Sequence, residues 1–310
     1  MNPRRILFTL LLAALQSTLW AAPTALPPGK TQFEFVDQKG DPTRPISVWM
    51  YVPAGCDHKC PLQFVMHGVK RNGETYLDHW VEFAMVRKFI VVAPEFGRKH
   101  FPKDDDYSLG RSTVEADPAK WGFAVPEHLF DELKSRYGFT ADTYRMFGHS
   151  AGGQFVQRMH LFVVNHRADP IIAANPGWYT LPEWGIGKTP YKFPYNTIGS
   201  RVDAARAKEA LSCRFVLLLG SKDIDPNDPV LNKSAGANEQ GSNRLARGEY
   251  FFTVSINAAK ALGANFSWQK KTVEGVGHSG PRMSAAAVEW MMDTKFAAIP
   301  GRPCGKPVEQ

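Results

Sequence analysis

Three observations predict an α/β fold with a mostly parallel central sheet and helices on both faces. Near-continuous apolar runs stop abruptly at turn residues, as in PLQFVMHG (61–68) and FIVVAPEF (89–96). Helical patterns separate the later runs. A glycine-rich turn in YRMFGHSAGG (144–153) joins a strand pattern directly to a helix pattern. Strands buried on both faces lose polar–apolar alternation, and strands alternating with helices build parallel sheets.

The elements follow in order. QFEFVD (32–37) and ISVWMYVP (46–53) read as an antiparallel start, before the two apolar runs. PEHLFDELKSRYG (126–138) is a helix, with Pro126 suited to its first turn and Gly138 to its stop. TYRMFGHS (143–150) is a strand. AGGQFVQRMHLFVVN (151–165) puts Phe155, Met159 and Phe162 on one helical face. Strands PIIAANPG (170–177), RFVLLLG (214–220) and FSWQKKTVEG (266–275) then alternate with helices at 201–211, 243–263 and 281–296. No repeat or low-complexity linker divides the chain, so residues 23–310 read as one domain with an aromatic insertion at 177–199.

Residues 1–22 read as a secretory signal peptide. Arg4 and Arg5 supply the positive start, ILFTLLLAAL the apolar run, and Ala21–Ala22 a small-residue cleavage site. The competing reading is a buried N-terminal helix. The run is too short to span a bilayer, and no second stretch is long enough, so no stable membrane anchor is expected. The expected location is the periplasm or the cell exterior. Removing Arg4 and Arg5 leaves 35 basic and 30 acidic residues, a charge of +5. This excess reads as a mildly basic surface or as attraction to an anionic substrate. No motif supports nucleic acid as a partner, and the oligomeric state is not legible.

The four cysteines suit an oxidising compartment. Three pairings are possible. Cys56–Cys60 with Cys213–Cys304 is favoured, the second bond pinning the C-terminal tail to the sheet. A zinc site at Cys56–His58–Cys60 lacks a second half.

In such sheets chemistry gathers at the carboxyl ends of the strands. G-x-S-x-G between a strand and a helix forces its serine into a sharp turn, where Ser150 Oγ stands clear of the sheet. An acid and a histidine follow in chain order. Asp223 leaves strand RFVLLLG three residues after Gly220, and is expected to orient an imidazole; Asp225 is the alternative. A calcium loop at D-x-D-x-N lacks the glycine and glutamate such loops require. His278, in the loop GVGHSG, is the expected base, taking the Ser150 proton and returning it to the leaving group. Of the nine histidines, His67, His160 and His166 read as surface or packing residues. The amides of Ala151 and Val69 are the expected oxyanion donors, with Gly68 allowing close backbone approach.

FVMHGVKRN, FIVVAPEF, FGHSAGGQF, AANPGWY, LLLGSKD and GVGHS together resemble secreted α/β-hydrolases of the polyhydroxybutyrate-depolymerase and feruloyl-esterase kind. The similarity covers residues 45–297. It implies the α/β-hydrolase fold and serine hydrolysis of a small or polymeric ester or amide, without a cofactor or metal. It carries over Ser150, Asp223 and His278, with Val69 and Ala151 for the oxyanion hole. A further related group, exported poly(aspartic acid) hydrolases, also resembles the depolymerases. Lys70, Arg71, Arg98 and Lys99, near two loops of the active face, would suit a polyanion. Lys70, Arg71, His149, Trp178 and Tyr179 are candidate substrate-binding residues, with Trp184, Tyr191 and Phe193 as further specificity elements or lid packing. The alternative of another class is a non-catalytic binding protein on the same fold, disfavoured because such proteins usually lose a triad member.

Overall fold

A computed structural model of the protein describes residues 23–183, 190–292 and 302–304. The signal-peptide reading of 1–22, the side chain of Trp184 and the end of the last expected helix lie outside the described residues. The eight strands are β1 (Gly29–Phe35), β2 (Ile46–Val52), β3 (Leu62–Met66), β4 (Ile90–Glu95), β5 (Tyr144–His149), β6 (Ala168–Ala174), β7 (Phe215–Gly220) and β8 (Trp268–Val273). They form one sheet in the order β1-β2-β4-β3-β5-β6-β7-β8. β2 is antiparallel to both β1 and β4, and every other pairing is parallel. This is the mostly parallel, helix-flanked sheet expected from the alternation of runs, and the α/β-hydrolase architecture that the resemblance implies.

Side chains along a strand alternate between faces, so one strand feeds two cores. Phe64 and Met66 of β3 enter one cluster and Val65 the other. The first cluster is closed by α3 (Val125–Tyr137), α4 (Ala151–Phe162), α5 (Ala204–Ser212) and α7 (Arg244–Leu262). The second is closed by α1 (Gly73–Arg87) and α8 (Gly280–Met292). Short helices α2 (Asp104–Ser108) and α6 (Ala235–Glu239) sit in loops. Local chemistry fixes the boundaries. Asp203 and Asn243 cap α5 and α7 by accepting from Arg206 N and Ala246 N. Gly138 ends α3 at φ 74°.

Helix α1 is not anticipated by the sequence reading. Its buried face carries Tyr76, Leu77, Trp80 and Ala84 at helical spacing. Exposed Met85 and Val86 blur that stripe, and no side chain caps its start. His166 lies beyond the end of α4, in the turn before β6.

Cys56–Cys60 and Cys213–Cys304 are both bonded, with Cα separations of 5.6 and 5.1 Å. The second ties the tail to the start of β7, beside a hydrogen bond from Arg214 N to Arg302 O of 3.0 Å. Among the described residues no helix is long and apolar enough to cross a membrane.

The chain builds outward from β3 to β4, then returns across the sheet to β5. That reversal opens a crevice between the carboxyl ends of β3 and β5, where an open α/β sheet binds ligands. His67–Val69 and Ser150 occupy these two ends.

Candidate active site

Ser150 links β5 to α4 at φ 59° and ψ −119°. A non-glycine residue held there carries strain of order 1–3 kcal/mol. The glycines around it are required by close approach. A side chain at Gly148 would meet the Gly152 carbonyl, and one at Gly152 would meet the Met66 carbonyl at the end of β3.

The loop after β8 brings His278 to the serine, with Nε2 2.9 Å from Ser150 Oγ. His278 Nδ1 lies 2.7 Å from Asp223 Oδ2. A carboxylate only accepts, so Nδ1 carries the imidazole proton. Nε2 is then left to accept from the serine hydroxyl. Asp223 is buried, whereas Asp225 is exposed and accepts its own loop's Asn227 amide at 2.8 Å.

Two residues absent from the sequence reading hold this acid. Arg244, buried in the first turn of α7, lies 3.4 Å from Asp223 Oδ1 and donates to Asp228 Oδ2 at 2.8 Å. That hydrogen bond holds the Asp228 carboxyl below the usual carboxylate range. Position 244 lies 21 residues beyond Asp223 in the chain, so only the tertiary fold exposes its role.

The other wall is the loop after β3. His67 is fully buried. Its Nε2 accepts from Phe96 N at 3.0 Å, so its Nδ1 donates to Gly68 O at 2.9 Å. Tyr107 stacks on that ring at 4.4 Å and donates its hydroxyl to His67 O at 2.8 Å. The packing reading of His67 therefore understates it, because this strap fixes the backbone leading to Val69. Val69 borders the nucleophile from this side. Ala151 opens α4, where a first-turn amide has no partner within the helix.

Burial pushes His67 and His166 down to about 3, and drives His149 and His160 well below their usual 6.5. All four are neutral in the folded chain at pH 6 and become charged on unfolding. The unfolded state thus binds more protons below pH 6.5, and stability falls as pH drops towards 3. Each such histidine adds about 1.4 kcal/mol per pH unit to that slope. Melting temperature is expected to be flat above pH 7 and to fall steeply below 6; a flat profile down to pH 4 contradicts this.

Two cavities flank Ser150, of about 250 and 310 Å³. Val69 and Val230 border both. The first is walled by Arg71, Tyr107, Gln154, Trp178 and Arg244. The second is walled by Lys70, Tyr76, His79, His149 and His278.

The expected binding residues separate accordingly. Lys70 is exposed at the second cavity. His149 is buried, receives the Tyr76 hydroxyl contact at 2.9 Å, and packs 4.6 Å from the His278 ring. Arg71 borders the first cavity but donates to Phe96 O and Lys103 O over the Tyr107 ring. Arg98 is taken by Asp104 at 3.1 Å. Trp178 borders the first cavity with its ring 4.1 Å from the Arg158 guanidinium. Tyr179 is a correction: it is fully buried, stacked 4.3 Å from Phe251 in the core, and borders neither cavity. Tyr191 and Phe193 pack on Tyr195 and Phe162.

No protein-family model and no curated protein matches the chain. Solved structures do. Poly(aspartic acid) hydrolase-1 from Sphingomonas sp. KT-1 is 34% identical, with a TM-score of 0.79 over 85% of this chain and 98% of that one. LpqC, a poly(3-hydroxybutyrate) depolymerase from Bordetella parapertussis, is 29% identical, with a TM-score of 0.81 over 88% and 94%. An S-formylglutathione hydrolase from Agrobacterium tumefaciens shares the fold at 17% identity and a TM-score of 0.57, over 89% and 98%.

Fold and neighbours together define an α/β-hydrolase, an enzyme of the serine-hydrolase type. Within that class, the chain belongs to the family of the Sphingomonas poly(aspartic acid) hydrolase-1. The reading as a non-catalytic binding protein is set aside. Two disulfides fit a protein of an oxidising compartment such as the periplasm or the cell exterior.

Proposed function

We propose that the chain is an exported ester hydrolase working through an acyl-enzyme on Ser150. The observation that carries this reading is the continuous relay from Ser150 Oγ to His278 Nε2 and from His278 Nδ1 to Asp223, at 2.9 and 2.7 Å. Ser150 Oγ attacks the ester carbonyl as its proton passes to His278 Nε2. The oxyanion that forms accepts from the amides of Val69 and Ala151. The carbon–oxygen bond to the leaving alcohol breaks as His278 returns the proton to it. Water, activated by the same imidazole, then releases the acid and restores the serine. Export rests on residues 1–22 as a cleaved signal peptide, a reading the two disulfides support.

Labelling by a fluorophosphonate tests the assignment. The wild-type protein is expected to take one label per chain and Ser150→Ala none; a labelled Ser150→Ala protein overturns it.

A second reading is amide hydrolysis of an anionic polymer such as poly(aspartic acid). It is favoured by the 34% identity to poly(aspartic acid) hydrolase-1. Turnover of polyaspartate that falls with salt, while p-nitrophenyl butyrate turnover holds, supports charge steering. Equal salt responses count against it.

A further inference from the structure

We propose that His160, His166, Cys213 and Cys304 form a buried site for a thiophilic divalent cation such as zinc, available only while the Cys213–Cys304 bond is reduced. The site goes beyond the proposed function and does not depend on it.

Four separate stretches of chain converge there. His160 comes from the last turn of α4, and His166 from the turn before β6. Cys213 comes from the junction of α5 and β7, and Cys304 from the tail. All four are buried. His160 Nδ1 lies 3.0 Å from His166 Nε2 and 4.0 Å from Cys304 Sγ. The ligand atoms of these three residues all lie within 4.8 Å of one another. A tetrahedral zinc ion spaces two nitrogens by about 3.4 Å and a nitrogen and a sulfur by about 3.6 Å, so the observed 3.0 and 4.0 Å each differ by about 0.4 Å. No second trio placed to hold a metal occurs among the described residues.

The protons are placed for a metal as well. His160 Nε2 donates to Ala210 O at 2.9 Å, so Nδ1 carries the lone pair. A backbone carbonyl on the far nitrogen is the usual way of steering a metal-ligating imidazole. In the oxidised chain His166 Nε2 donates to that lone pair, which leaves His166 Nδ1 buried without a partner. When a cation takes the place of the shared proton, this proton moves to His166 Nδ1. Burial and the Arg206 guanidinium push His166 down to about 3 and His160 well below its usual range, so both imidazoles are neutral at pH 7.

The charge that a dication needs comes from sulfur. The sulfurs of a disulfide are neutral, and the thiolate is the form that ligates. A phosphine reduces the bond: its phosphorus takes the oxygen of one water to become the phosphine oxide, the S–S bond breaks, and the two hydrogens of that water end on the two sulfurs. A dithiol does the same by exchange, giving up its two hydrogens and closing its own disulfide. Binding then displaces both thiol protons, and two thiolates neutralise the dication beside two neutral imidazoles. The cation holds the tail where the disulfide held it.

The test uses the Cys56→Ser, Cys60→Ser protein, which keeps only this cysteine pair. It is reduced with a phosphine, freed of it without air, and titrated with zinc against a chromogenic chelator. The reduced protein is expected to bind one zinc per chain and the oxidised protein none. Zinc is expected to raise the melting temperature of the reduced protein, which requires binding to the native rather than the unfolded chain. His166→Gln is expected to weaken binding by more than about tenfold, the least that follows loss even of a group supporting a ligand. Cobalt(II) in place of zinc is expected to give a thiolate charge-transfer band and a tetrahedral ligand field, a readout that needs no histidine variant. A reduced, folded chain that takes up no zinc overturns the site. So does zinc bound without a rise in melting temperature, zinc bound equally well by His166→Gln, or a cobalt spectrum without the thiolate band.

Discussion

Replacing Asp223 by asparagine is expected to cut kcat on p-nitrophenyl butyrate by about a thousandfold to ten-thousandfold while leaving the fold intact. The carboxylate accepts from His278 Nδ1 at 2.7 Å and so keeps the proton on that nitrogen. An amide at 223 can turn its NH₂ towards the ring. The ring proton then moves to Nε2, the atom that must accept from Ser150. The serine loses its base, although no atom has moved far. The Arg244–Asp228 ion pair stays in place, so the loop keeps its shape and KM changes little. Asp225→Asn is the control, since that side chain only closes an exposed turn, and is expected to stay within about twofold of wild type. An Asp223→Asn enzyme with more than a tenth of wild-type kcat sinks this assignment.

The side chains that meet at the candidate site were legible because each sits where chain geometry restricts the residue type. Gly148 and Gly152 cannot carry side chains without meeting backbone, so the turn around Ser150 announces itself in composition. Asp223 follows an apolar strand whose end is plain, and His278 sits in the glycine-rich loop between the last strand and the last helix. The fold was legible for a similar reason: β3 and β7 are buried on both faces and read as near-continuous apolar runs, broken in β3 only by Gln63. Helix α1 was not, because its inner stripe of Tyr76, Leu77, Trp80 and Ala84 is interleaved with outward-facing apolar residues. The supports of the site were hidden for another reason. His67, Tyr107, Arg158 and Arg244 are polar residues buried by tertiary contacts between elements distant in sequence. A polar residue inside an apolar pattern looks like noise until its partners are known. The aromatic insertion drew attention to Tyr179, which faces the core.

Removing the Cys213–Cys304 bond is expected to produce the largest loss of stability. The bond closes a loop of 91 residues that contains β7, α6, α7, β8 and α8. Freeing such a loop in the unfolded chain costs the native state about 4–5 kcal/mol, against about 2 kcal/mol for the short Cys56–Cys60 loop. The native side loses an anchor as well. Cys304 is buried against His160, whose Nε2 donates to Ala210 O at 2.9 Å at the end of α5. The double variant Cys213→Ser, Cys304→Ser is therefore expected to melt on the order of 10 °C below wild type. Cys56→Ser, Cys60→Ser should lose less than half as much. The relay lies at the opposite ends of the strands from this bond, so kcat of the folded double variant should stay close to wild type at low temperature. Equal melting of the two double variants would show that loop length does not set the effect, and that the buried contacts around His160 do.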